Sequence, residues 1–514
     1  MGAALSQRQP ALLISAQAHI ASGQPEKALA ELDRLLARAP QDVNAWIQKS
    51  LALILMALYP EALNAANRAL KLAPNNPNAH SYRGSALLQL GQLEEALAAY
   101  ERLVALAPHA AVAHYNRGNA LRRLNRWNES LTSLAQALKL QPDYTDALTV
   151  SGVAWQALGD KAQALAYFDK ALRINPEAAD AHYNRALLLL AAGHLSEGWQ
   201  DYAWRLRWNM TVRRGQSRAV GRIAPEWDGR DINGFLLVVP EQGLGDQIFY
   251  AGMFGDLERT LPGSTVCLEP RLIPLMARSF TRLHFISPAK IDEKACIAEE
   301  RFAAQIHTAS LGQFFRRDAS DMARVQQGYL TADKKRVVEI RRRMQDTQQA
   351  IKEKLVCGIS WQSKNDEFGR DKSLSLASLV PLLSSGSVTF VDLQYGDTAA
   401  ERTELYSKHH LMVHKFEDID SFHDIDALAA LISACDIIIT VSNTTAHLAA
   451  ALGKPVIVML PASPSLFWYW HIDRSDSPWY PSAVLLRQTK SGEWQDVIAT
   501  AGQALNEFSS AFSS

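Results

Sequence analysis

Four cysteines stand in 514 residues, Cys267, Cys296, Cys357 and Cys435, with no C-x-x-C pair and no histidine cluster at zinc spacing. A disulfide framework and a structural zinc site are thereby excluded, and the four read as reduced core residues of a cytoplasmic protein. Long apolar runs are missing too. Nowhere do 18 apolar residues follow one another, and the N-terminus has no basic segment leading into a clean apolar stretch. Neither a membrane span nor export is expected of such a chain. Net charge is absent, with 53 Lys plus Arg against 53 Asp plus Glu, so no global field draws the protein to nucleic acid or to an anionic bilayer. What remains is an ordinary globular composition and a length that suggests about three domains.

A repeat is present instead. Pro40, Pro74, Pro108, Pro142 and Pro176 follow one another at 34 residues, and Ala28, Ala62, Ala96, Ser130, Ala164 and Gly198 keep the same step. That is the period of tetratricopeptide repeats, helix-turn-helix units that bury their apolar faces by stacking on one another. Gly23, Gly91, Gly159 and Gly193 fall at the turn inside a unit, and the other two turns carry Ala57 and Asn125. Asn is the better substitute because it tolerates a positive φ. About six repeats are expected over residues 1–209, stacked into an α superhelix with a concave groove. The resemblance implies that a peptide groove is lined eight positions after each proline, by Gln48, Tyr82, Asn116, Val150 and Asn184. Only two of these are Asn, so an asparagine ladder like that of the O-linked N-acetylglucosamine transferases is partial. The last unit carries Trp199, Tyr202, Trp204 and Trp208, more aromatic surface than a solvated end exposes, and is expected to pack against the domain that follows.

Residues 210–233 lose the period and gather Arg213, Arg214, Arg218 and Arg222 in a linker that closes with a turn at Pro225 to Gly229. Beyond it strand and helix signals alternate, as in parallel α/β layers. Phe235 to Val239 reads as a buried strand, followed by the loop Glu241-Gln242-Gly243-Leu244-Gly245-Asp246. Its glycines let the backbone turn tightly into a helix and leave a carboxylate at the mouth of the sheet, where Asp246 would also serve as a helix cap. A dinucleotide fingerprint needs a third glycine where Tyr250 or its neighbours stand, so nicotinamide is not expected.

A charged helix from Ala332 to about Gln349 reads as the link between a first lobe, 234–335, and a second, 336–514. In the second, the strand Val356 to Trp361 ends in Gln362-Ser363-Lys364, with Arg370 and Lys372 in the same loop, and Val388 to Leu393 ends in Gln394. The β-branched run Ile437 to Val441 passes through Ser442-Asn443-Thr444-Thr445 into a helix that Gly453 stops, ahead of another buried run, Val456 to Leu460. In a parallel sheet such a turn points free backbone donors into a crevice that suits phosphate, although the same residues would appear if they only capped the helix. Two D-x-D strings, Asp418 to Asp420 and Asp424 to Asp426, precede a helix whose first turn favours Asp, and they read as helix-start residues rather than metal ligands. His409, His410 and His414 read as surface residues. Phe467 to Trp470, Trp479 and Tyr480 either stack on a sugar or base or fill the lobe interface.

The turn, His447 and the string A-x-A-L-G-K-P-V resemble the donor-binding segment of bacterial heptosyltransferases and their tetratricopeptide-linked relatives, which are GT-B glycosyltransferases. Many members have Asp-Thr where this chain has Ser442-Asn443. The G-x-G-D string likewise resembles the heptosyltransferase signature whose Asp is the general base. The resemblance implies an α superhelix followed by an α/β GT-B fold of two Rossmann-like lobes, the first on the acceptor side and the second on the donor side. It implies Asp246 as the base, with Gly243 and Gly245 in the active-site loop. Lys364 would meet the donor phosphate, Gln394 the base or ribose, and Ser442, Asn443, Thr444, Thr445 and His447 would surround the donor. The substrate would be a nucleotide sugar used by an inverting mechanism without cofactor or metal, and the partner a protein acceptor, by analogy flagellin. A transferase for a lipid-linked or surface glycan stays open. So does a silent adaptor with a decayed fold, which the Ser442-Asn443 departure favours.

Overall fold

The computed structural model describes residues 2–207, 222–325, 327–346, 355–363, 369–385, 388–462, 467–471 and 473–513. The chain forms two compact units, residues 1–184 and 185–514, a division that falls earlier than the point where the 34-residue period stops. Six helix pairs follow the six repeats, from Gly2–Ala21 with Pro25–Arg38 to Ala179–Ala191 with Leu195–Tyr202. Each pair turns through one residue in the left-handed region: Gly23, Ala57, Gly91, Asn125, Gly159 and Gly193 have φ between 58° and 86°. The hydrogen bonds are the same at each turn. At Ala57 its N–H donates to Ile54 O at 3.0 Å and the N–H of Leu58 donates to Leu53 O at 2.9 Å, closing the last carbonyls of the helix.

Packing inside a pair also repeats. A Cβ on Gly84, Gly118 or Gly152 would come within 2.6, 2.8 or 2.5 Å of Tyr100, Leu134 or Phe168, so the missing side chain on one helix makes room for the large one on the next. Trp46, His80, His114 and His182 each bond, at 2.9 Å, the carbonyl of the proline six residues before. Gln48, Tyr82, Asn116, Val150 and Asn184 are all half-buried on first helices. The amide of Asn184 donates to Asp180 O at 2.7 Å, within its own helix.

The second unit is built on two parallel sheets. Strands β1 (Leu236–Val239), β2 (Thr265–Cys267), β3 (His284–Ile286) and β4 (Ala304–His307) form the first, in the order β3-β2-β1-β4. The second contains β5 (Leu355–Ser360), β6 (Val388–Asp392), β7 (Val413–His414), β8 (Ile437–Val441), β9 (Val456–Leu460) and β10 (Ala483–Arg487), in the order β10-β9-β8-β5-β6-β7. β5, β8 and β9 are buried along their whole length, as their apolar runs require. The charged helix Lys334–Asp346 precedes the second sheet. The four cysteines are buried and free. Among the described residues no helix is long and apolar enough to cross a membrane.

The aromatic end of the repeats belongs to this second unit. Trp199 and Tyr202 are buried; the indole of Trp199 donates to Arg316 O at 2.8 Å, and a Cβ on Gly312 would come within 2.3 Å of its ring. Trp208 and the linker residues Arg213, Arg214 and Arg218 lie outside the described residues.

Candidate functional site

Each sheet reverses its strand order once, between β1 and β4 and between β5 and β8, and ligand crevices open outside the carboxyl ends of strands at such points. Glu241 closes the end of β1, its Oε2 accepting from Arg205 Nε at 2.9 Å and its Oε1 from the N–H of Ala309 at 2.9 Å. Burial works against both charges, yet the pairing outweighs it, leaving the carboxyl of Glu241 below its usual range and the guanidinium of Arg205 above. Gly243 then caps the helix Leu244–Tyr250, and Asp246, its third residue, accepts the N–H of Gly243 on Oδ2 at 3.1 Å. Asp246 is thus not the N-cap itself but reaches back to it. Its other oxygen, Oδ1, accepts from the hydroxyl of Tyr469 at 3.3 Å. Burial pushes the carboxyl up, opposed by these two donors and by the ammonium of Lys372.

Gly245 faces the second sheet. A Cβ there would stand 3.0 Å from His447 Cδ2 and 3.8 Å from Thr444 Oγ1, so the loop after β1 and the turn after β8 meet at this glycine. Within the turn Asn443 is the N-cap of the helix Thr444–Ala451: its Oδ1 accepts the N–H of Ala446 at 3.2 Å, and its Nδ2 donates to Ser360 Oγ at 2.8 Å and Gln362 O at 3.1 Å. Gln394 Oε1 accepts from Ser360 Oγ at 2.9 Å and from the N–H groups of Trp361 and Gln362 at 3.0 and 2.9 Å. Asn443 and Gln394 therefore tie the ends of β5, β6 and β8 together. Ser442 Oγ accepts from the indole of Trp470 at 2.8 Å. Of the four turn residues only Thr444 is half-exposed; Ser442, Asn443 and Thr445 are buried.

His447, one turn into this helix, has Nδ1 at 2.9 Å from the hydroxyl of Tyr480 and its ring 5.0 Å from that of Trp470. Burial, with the charge of Lys372 adding to it, pushes its pKa down to about 3, so the imidazole is neutral at pH 7. Lys372 is buried with Nζ 3.9 Å from the centroid of Phe467, and burial pushes it down to about 8 while Asp246 pulls it up. Lys364 lies outside the described residues; of the two other cations in its loop, Lys372 is buried and Arg370 exposed. Trp468, Tyr469, Trp470, Trp479 and Tyr480 are all buried, and Phe467 stacks on Tyr469 at 5.3 Å and 8°. Sequence reasoning did not find the bond from Tyr469 to Asp246, which joins residues 223 positions apart.

The D-x-D carboxylates have partners. Asp418 pairs with Arg343 and Asp420 with His423, Asp424 accepts the N–H of Ala427 at 2.8 Å, and Asp426 takes both nitrogens of Arg278 at 2.7 and 2.8 Å. Among the described residues no group of three His, Cys, Asp or Glu is placed to hold a metal. His409 and His410 are exposed, and His414 is half-buried in β7.

Two parallel sheets that meet at their switch points, one offering a carboxylate and the other a helix N-terminus, make the second unit an α/β fold of the glycosyltransferase kind, behind a tetratricopeptide array. Known proteins agree. Residues 10–52, 65–98, 115–176 and 156–202 match tetratricopeptide repeat models, 84–124 matches a TPR repeat model, and 393–496 match glycosyltransferase family 9 (heptosyltransferase). The chain therefore carries tetratricopeptide repeats in its first 202 residues and, over residues 393–496, a segment similar to family 9 glycosyltransferases. Protein FlbA of Caulobacter vibrioides is 29% identical over 341 residues, which are 63% of this chain and 55% of FlbA, so the chain spans about half the length of that relative. Among solved structures, MamA 41-end from Desulfovibrio magneticus RS-1 is 25% identical over 33% of this chain and 96% of that one, with a TM-score of 0.31. YrrB, described as a TPR protein with an unusual peptide-binding site, is 24% identical over 34% and 90%, with a TM-score of 0.30. The family 9 match begins at Leu393, so it takes in Gln394, the Ser442 turn and His447 but not Asp246.

Proposed function

We propose that the protein is a glycosyltransferase that moves a sugar from a nucleotide-sugar donor to a Ser or Thr hydroxyl of a polypeptide docked on the repeats. The observation that carries this reading is the half-buried carboxylate of Asp246 at the mouth of β1, one residue after the glycine that meets the helix end at Thr444, and within the field of Lys372. Asp246 takes the proton of the acceptor hydroxyl as its oxygen attacks the anomeric carbon. The bond to the diphosphate breaks on the opposite face, which inverts the centre. Charge on the departing diphosphate is met by the Thr444 hydroxyl, the leading N–H groups of its helix and Lys372, with Lys364 as a second cation, and neither metal nor cofactor enters.

The shifted groups give this mechanism a pH signature. A base must be deprotonated, so the upward shift of Asp246 moves the acid limb of kcat/KM to higher pH than an exposed Asp would give. Lys372 loses its charge above about 8, which sets the basic limb, and Lys372→Arg should remove that limb because arginine stays charged. Calorimetric titration of a panel of nucleotide sugars identifies the donor. With it, Asp246→Asn should lower turnover by about 10²- to 10⁴-fold and leave donor affinity within a few-fold. Retained turnover would reduce Asp246 to a helix-start residue.

For the acceptor, deleting residues 2–141 while keeping the aromatic final repeat should preserve donor binding and remove modification of a protein such as flagellin, the analogue first to be tried. Full-rate modification by the truncated enzyme would favour a lipid-linked or surface glycan instead. A non-catalytic adaptor is favoured by one observation: Ser442, Asn443 and Gln394 direct their polar atoms into the fold, Tyr469 bonds Asp246, and Tyr469 and Trp470 pack against His447. Failure of every nucleotide sugar in the panel to bind would establish that reading.

A further inference from the structure

The two nitrogens of His447 face different surroundings. Nδ1 lies 2.9 Å from the hydroxyl of Tyr480. Nε2 lies toward the first sheet, 3.6 Å from where a Cβ on Gly245 would stand, with Thr444 Oγ1 3.8 Å from the same point. Because Gly245 has no Cβ, the loop approaches this edge of the buried ring closely, and no described residue makes a hydrogen bond to Nε2.

A third hydroxyl decides which group carries the proton between Tyr480 and His447. Tyr329 donates to Ile248 O at 2.7 Å, and a carbonyl only accepts, so the single proton of Tyr329 is committed there. The oxygens of Tyr329 and Tyr480 are 3.5 Å apart. If Nδ1 of His447 were the donor, Tyr480 would have to give its own proton to a phenol oxygen at that distance. As donor to Nδ1, Tyr480 makes the 2.9 Å bond to the stronger acceptor. Nδ1 then carries no hydrogen, and a neutral imidazole holds it on Nε2.

We infer that Tyr480 is a positioning residue, which locks His447 as a neutral Nε2–H donor facing the mouth between Gly245 and Thr444, where it bonds a diphosphate oxygen of the donor. The inference rests on the glycosyltransferase reading for the identity of that oxygen, but not for the tautomer. A neutral N–H gives direction without adding a positive charge that would hold the product diphosphate.

Protein labelled with ¹⁵N-histidine tests the lock directly, with the His447 resonances assigned by their loss in His447→Gln. The expected wild-type spectrum has a pyridine-like Nδ1 and a pyrrole-like Nε2, and Tyr480→Phe mixes the two tautomers. Inorganic pyrophosphate, titrated by calorimetry, is the ligand probe. His447→Gln, which keeps an N–H near the Nε2 position, should stay within about threefold of wild type, whereas His447→Asn and Tyr480→Phe lose about tenfold, one charge-assisted hydrogen bond. A wild-type Nδ1–H tautomer, or one that Tyr480→Phe does not move, overturns the role of Tyr480. If Tyr480→Phe fails to fold, the wild-type spectrum decides. The expected tautomers with equal pyrophosphate affinity in wild type, Gln and Asn variants would overturn the donor-site assignment and leave the lock standing.

Discussion

In the repeats a large side chain finds its space sixteen residues back, Tyr100 over Gly84, Leu134 over Gly118 and Phe168 over Gly152. In the two-sheet unit Asp246 meets Tyr469 across 223 residues, and Asn443 reaches Ser360 across 83. Where contacts are local and periodic, a unit needs only its neighbours, stability approximates a sum over units, and a poor residue harms one unit. Where contacts join distant strand ends, one side chain holds several elements, and its loss is felt by all of them. The repeats are helix throughout and the second unit mixes helix with strand, but what separates their responses is the span of the contacts, and it can be tested by how far a single change spreads.

The largest effect is expected at Glu241. Its carboxylate serves the buried guanidinium of Arg205 and the N–H of Ala309, joining the repeat end, β1 and the segment after β4. Glu241→Gln should cost about 3–5 kcal/mol, because a buried charge loses the partner that balances it. In a calorimetric scan the transition of the two-sheet unit should fall by about 10 °C while that of the repeats stays in place. Joint movement of both transitions would erase the contrast drawn above. A change below about 1 kcal/mol would show that water replaces the carboxylate.

A middle-sized effect is expected inside one repeat. Gly152→Ala puts a Cβ 2.5 Å from the ring of Phe168. Overpacking of this kind costs about 1–3 kcal/mol, more than the roughly 0.5–1 kcal/mol that alanine gains over glycine in a helix. Combining it with Phe168→Leu should recover part of the loss in denaturant titrations, since the two positions share one space. A neutral Gly152→Ala would mean that the ring moves aside and that the glycine is not a packing device.

The same contrast explains what could be read from the chain. The 34-residue period exposed the array because each signal repeats, down to the turn residues Ala57 and Asn125. The bonds from Trp46, His80, His114 and His182 to the preceding prolines carry the same period and were open to the same reading. In the sheets, β-branched runs marked β8 and β9, and glycines after a strand marked the loop of Asp246. The burial of Lys372 beside Asp246 and the bond from Tyr469 left no local trace, because nothing in their own segments depends on Asp246. Nor does a polar residue at a strand end disclose whether it faces the crevice or the next strand. Asn443 and Gln394 face the next strand, whereas Thr444 stands at the mouth.

The smallest predicted effect is the most local. Ala57 has φ of 58°, and its turn carries the same two hydrogen bonds as the glycine turns, so the fold imposes the left-handed conformation on a residue with a Cβ. That conformation costs an L-residue about 1–2 kcal/mol. Glycine adopts it freely but loses about 0.4–1 kcal/mol more conformational entropy on folding, so Ala57→Gly should stabilise the array by about 0.5–1 kcal/mol. The mirror experiment is Gly91→Ala, where φ is 77° and a Cβ would meet nothing within 4 Å, so the change isolates the backbone term and should cost the same amount. Equal and opposite shifts in denaturation midpoint, additive when both changes are made in one chain, are what independent units require. If Ala57→Gly destabilises, the turn draws on something that its neighbours do not share, and the repeats are less interchangeable than their period implies.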